Sequence, residues 1–114
     1  MRKINVINLT PHEIVINNEN GNIILPKSEK PARCLSRVHV EEVIQVNGYD
    51  NSIELTHTEY YRVINLPPPK PFTIYVVSDI IAKFLQGKRD DLYISNGLIK
   101  KDGIIIACRS LGRI

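Results

Sequence analysis

The sequence predicts an α+β domain that is mostly β: an antiparallel sheet or small open barrel with one short helix at about residues 79–86. Three observations carry this. Short runs rich in Ile and Val recur along the chain, separated by turns bearing Asn, Gly and Pro. Two dipeptides, Asn47-Gly48 and Asp102-Gly103, suit the central positions of hairpin turns, because they accept positive φ. One stretch alone, Ser78 to Gly87, has the apolar period of a helix. At 114 residues the chain is a single domain, 1–114, large enough for a core without staples.

Lys3 to Leu9 reads as a strand that Thr10-Pro11 breaks. Glu13 to Ile16 resumes an apolar pattern, Asn17 to Asn22 is a turn cluster, and Asn22 to Leu25 is the return arm of a hairpin. Pro26 to Ala32 is a polar loop. Val38, Val40, Ile44 and Val46 fit a period-two strand over 33–46, bent at Glu41-Glu42 and ending at Asn47-Gly48. Ile53 to Leu55 and Tyr60 to Leu66 are two further strand candidates. Pro67, Pro68, Pro69 and Pro71 fix φ and remove amide donors, so this run is extended and belongs to neither a helix nor a central strand.

Phe72 to Val77 is uncharged and mostly β-branched or aromatic, the composition of a strand buried on both faces. Ser78 then fits an N-cap, Asp79 suits the first turn, and Ile80, Ile81, Phe84 and Leu85 form the apolar stripe of a short helix closed near Gly87. Leu92 to Ile94 is a short strand before an expected turn at Asn96-Gly97. Leu98 to Lys101 and Ile104 to Cys108 flank Asp102-Gly103 as a terminal hairpin.

No catalytic signature is present. There is no glycine-rich phosphate loop and no metal-ligand spacing, so no catalytic residues, metal or cofactor are expected. The residues that gather interest are polar groups at strand ends. Thr10 and His12 follow the first strand, Ser78 follows the central one, and Arg89 and Arg109 lie near strand ends, where a guanidinium can grip a phosphate or carboxylate. These five are the candidate ligand-binding set. The plainer reading makes Thr10 a local turn residue and each arginine the partner of a carboxylate. Asp90-Asp91 with His12 would be the residues of a phosphodiester hydrolase, although adjacent carboxylates usually point apart.

Charge is uneven. Residues 1–65 hold seven Lys or Arg against eight Asp or Glu, and residues 66–114 hold eight against four. The basic second half is compatible with an anionic partner, but no basic stripe interleaved with aromatics argues for duplex nucleic acid. The chain has no apolar run of membrane-spanning length and no secretory signal, so a cytoplasmic setting with Cys34 and Cys108 reduced is expected.

The opening Ile7-Asn8-Leu9-Thr10-Pro11-His12-Glu13-Ile14 and the centre Leu66-Pro67-Pro68-Pro69 with Thr73-Ile74-Tyr75-Val76-Val77-Ser78 resemble a group of small phage, prophage and bacterial proteins. So do Arg89-Asp90-Asp91-Leu92, Gly103-Ile104-Ile105-Ile106 and Arg109-Ser110-Leu111 near the end. Residues 35–65 lie outside the resemblance, and Phe72 stands where the related pattern has glycine. The resemblance brings over no site residues. It implies a mobile-element source, where small proteins often counter host defences. The leading expectation is a non-enzymatic binder, a homo-oligomer that captures a small anionic, nucleotide-like ligand as a sponge for a host signal. The alternatives are an interaction protein that inhibits a host defence enzyme or nuclease, and the hydrolase.

Overall fold

A computed structural model describes residues 1–114. Strand β6 (Thr73–Val76) lies at its centre and is buried on both faces, as its composition predicts. Alternate side chains of a strand point to opposite faces. Tyr75 and Val77 therefore enter one core cluster with Leu9, Ala32, Ile81, Ala82 and Leu92. Val76 enters a second with Ile16, Leu25 and Cys108. On one side β6 pairs in parallel with β1 (Asn5–Asn8), and on the other with β7 (Leu92–Lys101).

The sheet continues through β8 (Ile104–Gly112) to β2 (Ile14–Asn18) and β3 (Gly21–Leu25), in the order β1-β6-β7-β8-β2-β3. Its two end strands approach each other, so the six strands form a nearly closed barrel. The expected small open barrel with one helix is present. Its pairing is mixed, because β1–β6, β6–β7 and β2–β8 are parallel.

The helix, α1 (Asp79–Phe84), begins where Ser78 Oγ accepts from the Ile81 amide at 3.4 Å. It is shorter than its apolar stripe suggests, and Ile80 faces solvent while Ile81 is buried. No helix is long and apolar enough to cross a membrane. The proline run is tied down through its carbonyls: Pro68 O accepts from Tyr75 Oη at 3.2 Å and Pro67 O from Arg89 Nη2 at 3.1 Å. Phe72 holds φ 54° and is 73 % exposed. A glycine would take this backbone without strain.

The remaining strands, β4 (Arg33–Gln45) and β5 (Ser52–Ile64), pair only with each other and form a separate two-stranded ribbon. The two candidates read separately at 53–55 and 60–66 are one strand of 13 residues. The ribbon is an arm. The radius of gyration is 18.4 Å and the longest dimension 61 Å, whereas a compact chain of this length has a radius of about 13 Å. At the base of the arm, Asn65 Nδ2 donates to Pro31 O at 3.2 Å, and Cys34 and Val63 pack on the α1 side of the core.

Beyond that base nearly every arm residue is exposed. Register places the polar pairs Arg37–Glu59 and His39–His57 on one face. There the two imidazoles stack with centroids 5.0 Å apart. Glu41 Oε1 lies 2.8 Å from His57 Nδ1, and the Arg37 guanidinium sits 4.3 Å above the Tyr61 ring. The opposite face carries Tyr60, Val38, Thr58, Val40, Thr56 and Val43.

Candidate functional site

Asn8 is the residue on which the cleft region is built. It is a buried polar side chain at the end of β1, next to Ile7. Its Nδ2 donates to His12 O at 2.8 Å, Pro26 O at 3.1 Å and Leu25 O at 3.3 Å. Its Oδ1 accepts from the Thr10 amide at 2.9 Å and from Thr10 Oγ1 at 2.7 Å. This one amide closes the turn at Thr10-Pro11-His12 and staples it to the end of β3. Sequence reasoning passed Asn8 over. The signal was an amide inside an Ile- and Val-rich strand, followed two residues later by threonine and proline, an arrangement that favours an Asx turn.

The turn forms one wall of a cleft of about 560 Å³. Thr10, His12 and Ser78 all line it, so the structure brings three of the five candidate residues together. Glu13, Asp79 and Ser95 add polar groups, and Ile14, Val77, Leu98 and Ile105 add an apolar lining. Two of the three candidates are already engaged. The Thr10 hydroxyl serves Asn8, and the Ser78 hydroxyl caps α1. The cleft holds two carboxylates and no Lys or Arg. Its electrostatics favour a neutral or cationic group over an anion.

Arg89 and Arg109 line no part of that cleft. Arg89 is held in a bidentate ion pair with Asp91, at 2.8 Å from both Nε and Nη2. Both side chains are mostly buried. The hydrogen-bonded guanidinium holds the Asp91 carboxyl below its ordinary range against the opposing effect of burial, and the carboxylate raises Arg89 in turn. Arg109 lies against Gly97, where an added Cβ would come 3.1 Å from the Arg109 Cβ. The five residues therefore do not form one site within a single chain. The hydrolase set is divided as well. His12 lines the cleft, Asp91 is committed to Arg89, and Asp90 lines a separate hollow of about 410 Å³ with Gly87, Lys88, Arg89 and Arg113. No group of three or more His, Cys, Asp or Glu side chains gathers around a common point.

The remaining feature of functional interest is the arm. On its apolar face Val38, Val40, Val43 and Tyr60 are 66 %, 53 %, 59 % and 40 % exposed. The face continues onto α1, where Tyr60, Ile80, Lys83 and Phe84 line a notch of about 400 Å³ at the arm's base. Both cysteines are free thiols. Cys108 is buried, while Cys34 is half-buried and its thiol is pushed up by burial. No protein-family model matches the chain, nor does any curated protein or solved structure.

Proposed function

We propose that the chain is a non-enzymatic interaction protein whose arm docks on a protein surface. One observation carries this: a two-stranded ribbon of 13-residue strands stands off the barrel with an apolar face in water. A lone two-stranded ribbon is marginally stable in water, and folded monomers rarely leave a contiguous apolar patch of this kind uncovered. On the other face the His39 and His57 rings stack, Glu41 lies against His57 and Arg37 lies over Tyr61, with Ile44, Ile53 and Leu55 nearer the tip, whereas Val38, Val40 and Val43 stand in water. A surface of this form covers or blocks part of another protein, which supports the interaction-protein expectation ahead of anion capture. The test is affinity capture with the wild-type chain, the arm variant Val38→Asp/Val40→Asp and the cleft variant His12→Ala. Proteins lost with the arm variant and retained with the cleft variant support the reading. Identical capture by all three overturns it.

Capture of a small anionic, nucleotide-like ligand is the second reading. The observation that favours it is the hollow beside Lys88, Arg89 and Arg113, which has no apolar lining residue. A ligand that binds only the folded chain adds about 2.7 kcal/mol of stability at a hundredfold excess over Kd. A thermal-shift series with nucleotides and inorganic phosphate should then show a rise that Lys88→Ala/Arg113→Ala removes. A flat series leaves the arm as the functional feature.

A further inference from the structure

We propose that the cleft beside the Thr10-Pro11-His12 turn binds a small amphipathic cation: an ammonium head taken by Glu13 and Asp79, with an apolar stem laid along Ile14, Leu98 and Ile105. The inference is independent of the reading given to the arm. Its first support is the cavity. At about 560 Å³ the cleft has the size of a small-molecule site. Thr10, His12 and Glu13 come from the turn and Ser78 and Asp79 from the corner between β6 and α1, whereas Leu98 and Ile105 come from the β7–β8 hairpin. One side is thus mainly polar and the other mainly apolar, a lining that an amphipathic molecule matches.

The apolar side leads further in. Strands β2 and β8 run parallel but pair only at Ile16–Cys108. Toward Glu13 and Ile105 the ladder stops, and a recess of about 90 Å³ is lined by Ile14 and Val15 from one strand and Ile106 and Ala107 from the other. The recess shares Glu13, Ile14, Ser95, Leu98 and Ile105 with the cleft, so a stem in the cleft can extend into it. At about 30 Å³ per group, the volume of a water molecule in the liquid, it takes roughly three methylenes.

Charge is the second support and fixes the sign of the head. Two carboxylates line the cleft and no Lys or Arg does. The ion pairs of the chain are His39–Glu59, His57–Glu41 and Arg89–Asp91, so neither Glu13 nor Asp79 is neutralised from within. Unpaired charges of one sign in a cleft raise the local concentration of the opposite ion. A divalent metal would need more donors, and no third His, Cys, Asp or Glu gathers with these two around a common point. An organic cation needs fewer, and its stem covers the apolar side that a metal would leave in water.

Amide NMR titrations of the whole chain with n-hexylammonium, hexanoate and hexanol read this directly. Hexylammonium should shift the Ser95, Leu98 and Ile105 amides saturably, and hexanoate should bind about tenfold more weakly or not at all. Shortening the stem toward ethylammonium should weaken binding about threefold for each methylene withdrawn from the recess. The double variant Glu13→Gln/Asp79→Asn should weaken hexylammonium about tenfold and leave hexanol unchanged. A lysine side chain carries the same head and stem, so Nα-acetyl-lysine amide is compared with butylammonium. Tighter binding of the capped lysine assigns the site to a lysine of a partner protein, and weaker binding assigns it to a free amine. No saturable shift with hexylammonium overturns the proposal, as do shifts confined to the arm, hexanoate binding as tightly, or a double variant that binds hexylammonium like wild type. The head-group comparison on the wild-type chain decides even where the double variant fails to fold.

Discussion

Replacing Asn8 tests how the cleft wall is held. Five hydrogen bonds converge on this buried amide, and its two amide protons serve three carbonyls. In Asn8→Ala, the Thr10 hydroxyl can turn to His12 O, which lies 3.0 Å away. The Thr10 amide and the carbonyls of Leu25 and Pro26 lose their partner. Each buried polar group left unpaired costs about 1–3 kcal/mol, and water entering the vacated space returns part of that. The expected loss is about 2–4 kcal/mol, or roughly 8–16 °C in Tm for a domain of this size.

Asn8→Asp is the sharper variant. It keeps the acceptor toward Thr10 and sets a carboxylate against three carbonyl oxygens. Desolvation and those oxygens raise its folded pKa above the unfolded value of about 3.9. Its stability is then greatest below the unfolded value and falls as pH rises through the raised folded value. Urea unfolding from pH 3 to 8 should show Asn8→Asp losing stability relative to wild type as pH increases. An Asn8→Asp chain as stable as wild type at pH 7 would refute the placement of Nδ2 against the three carbonyls, and with it the role given to Asn8.

Three further outcomes follow from the geometry. Asp91→Asn should cost about 2 kcal/mol at neutral pH, by leaving the mostly buried Arg89 without its carboxylate. Because the folded Asp91 pKa is lowered, that contribution is present above the unfolded value and is lost as pH falls through the folded one, so the wild-type and variant urea curves should converge in acid. Gly103→Val should cost about 1–2 kcal/mol through backbone alone, since Gly103 holds φ 80° with no atom near its missing Cβ; amide exchange confined to 98–106 would locate the loss. Phe72→Gly should be neutral or stabilising by up to about 1 kcal/mol in the urea midpoint, because relief of positive φ outweighs the entropy of glycine at an exposed position.

The barrel was legible in the sequence where burial imposes a period. The uncharged run at 73–76, the Ser78 cap and the Asp102-Gly103 turn all lie where their chemistry puts them. The arm was legible in part. Its first strand alternates clearly, but Thr56-His57-Thr58-Glu59 interrupts the apolar pattern of the second. In a ribbon with solvent on both faces, burial enforces no alternation. Asn96-Gly97 has turn chemistry yet lies inside β7, because Gly97, at φ 66°, lets the strand pass close to Arg109. Of the candidate site, Thr10, His12 and Ser78 share a cleft because strand ends β1 and β6 are neighbours in the sheet. Arg89 is a ligand candidate by its place near a strand end, but the plainer reading is the one the structure shows: Asp91, two residues away, holds it. Spacing alone does not tell a gripping arginine from a paired one.

The most direct measurement of the account is sedimentation velocity of the fluorescently labelled chain in cell extract, run beside labelled Val38→Asp/Val40→Asp. Both side chains are more than half exposed, so the substitutions leave the core intact. The account predicts that the wild-type chain sediments faster than a free 13.0 kDa protein and that the variant sediments as one. A wild-type chain that sediments as a free 13.0 kDa protein, or two chains that sediment alike, would contradict it.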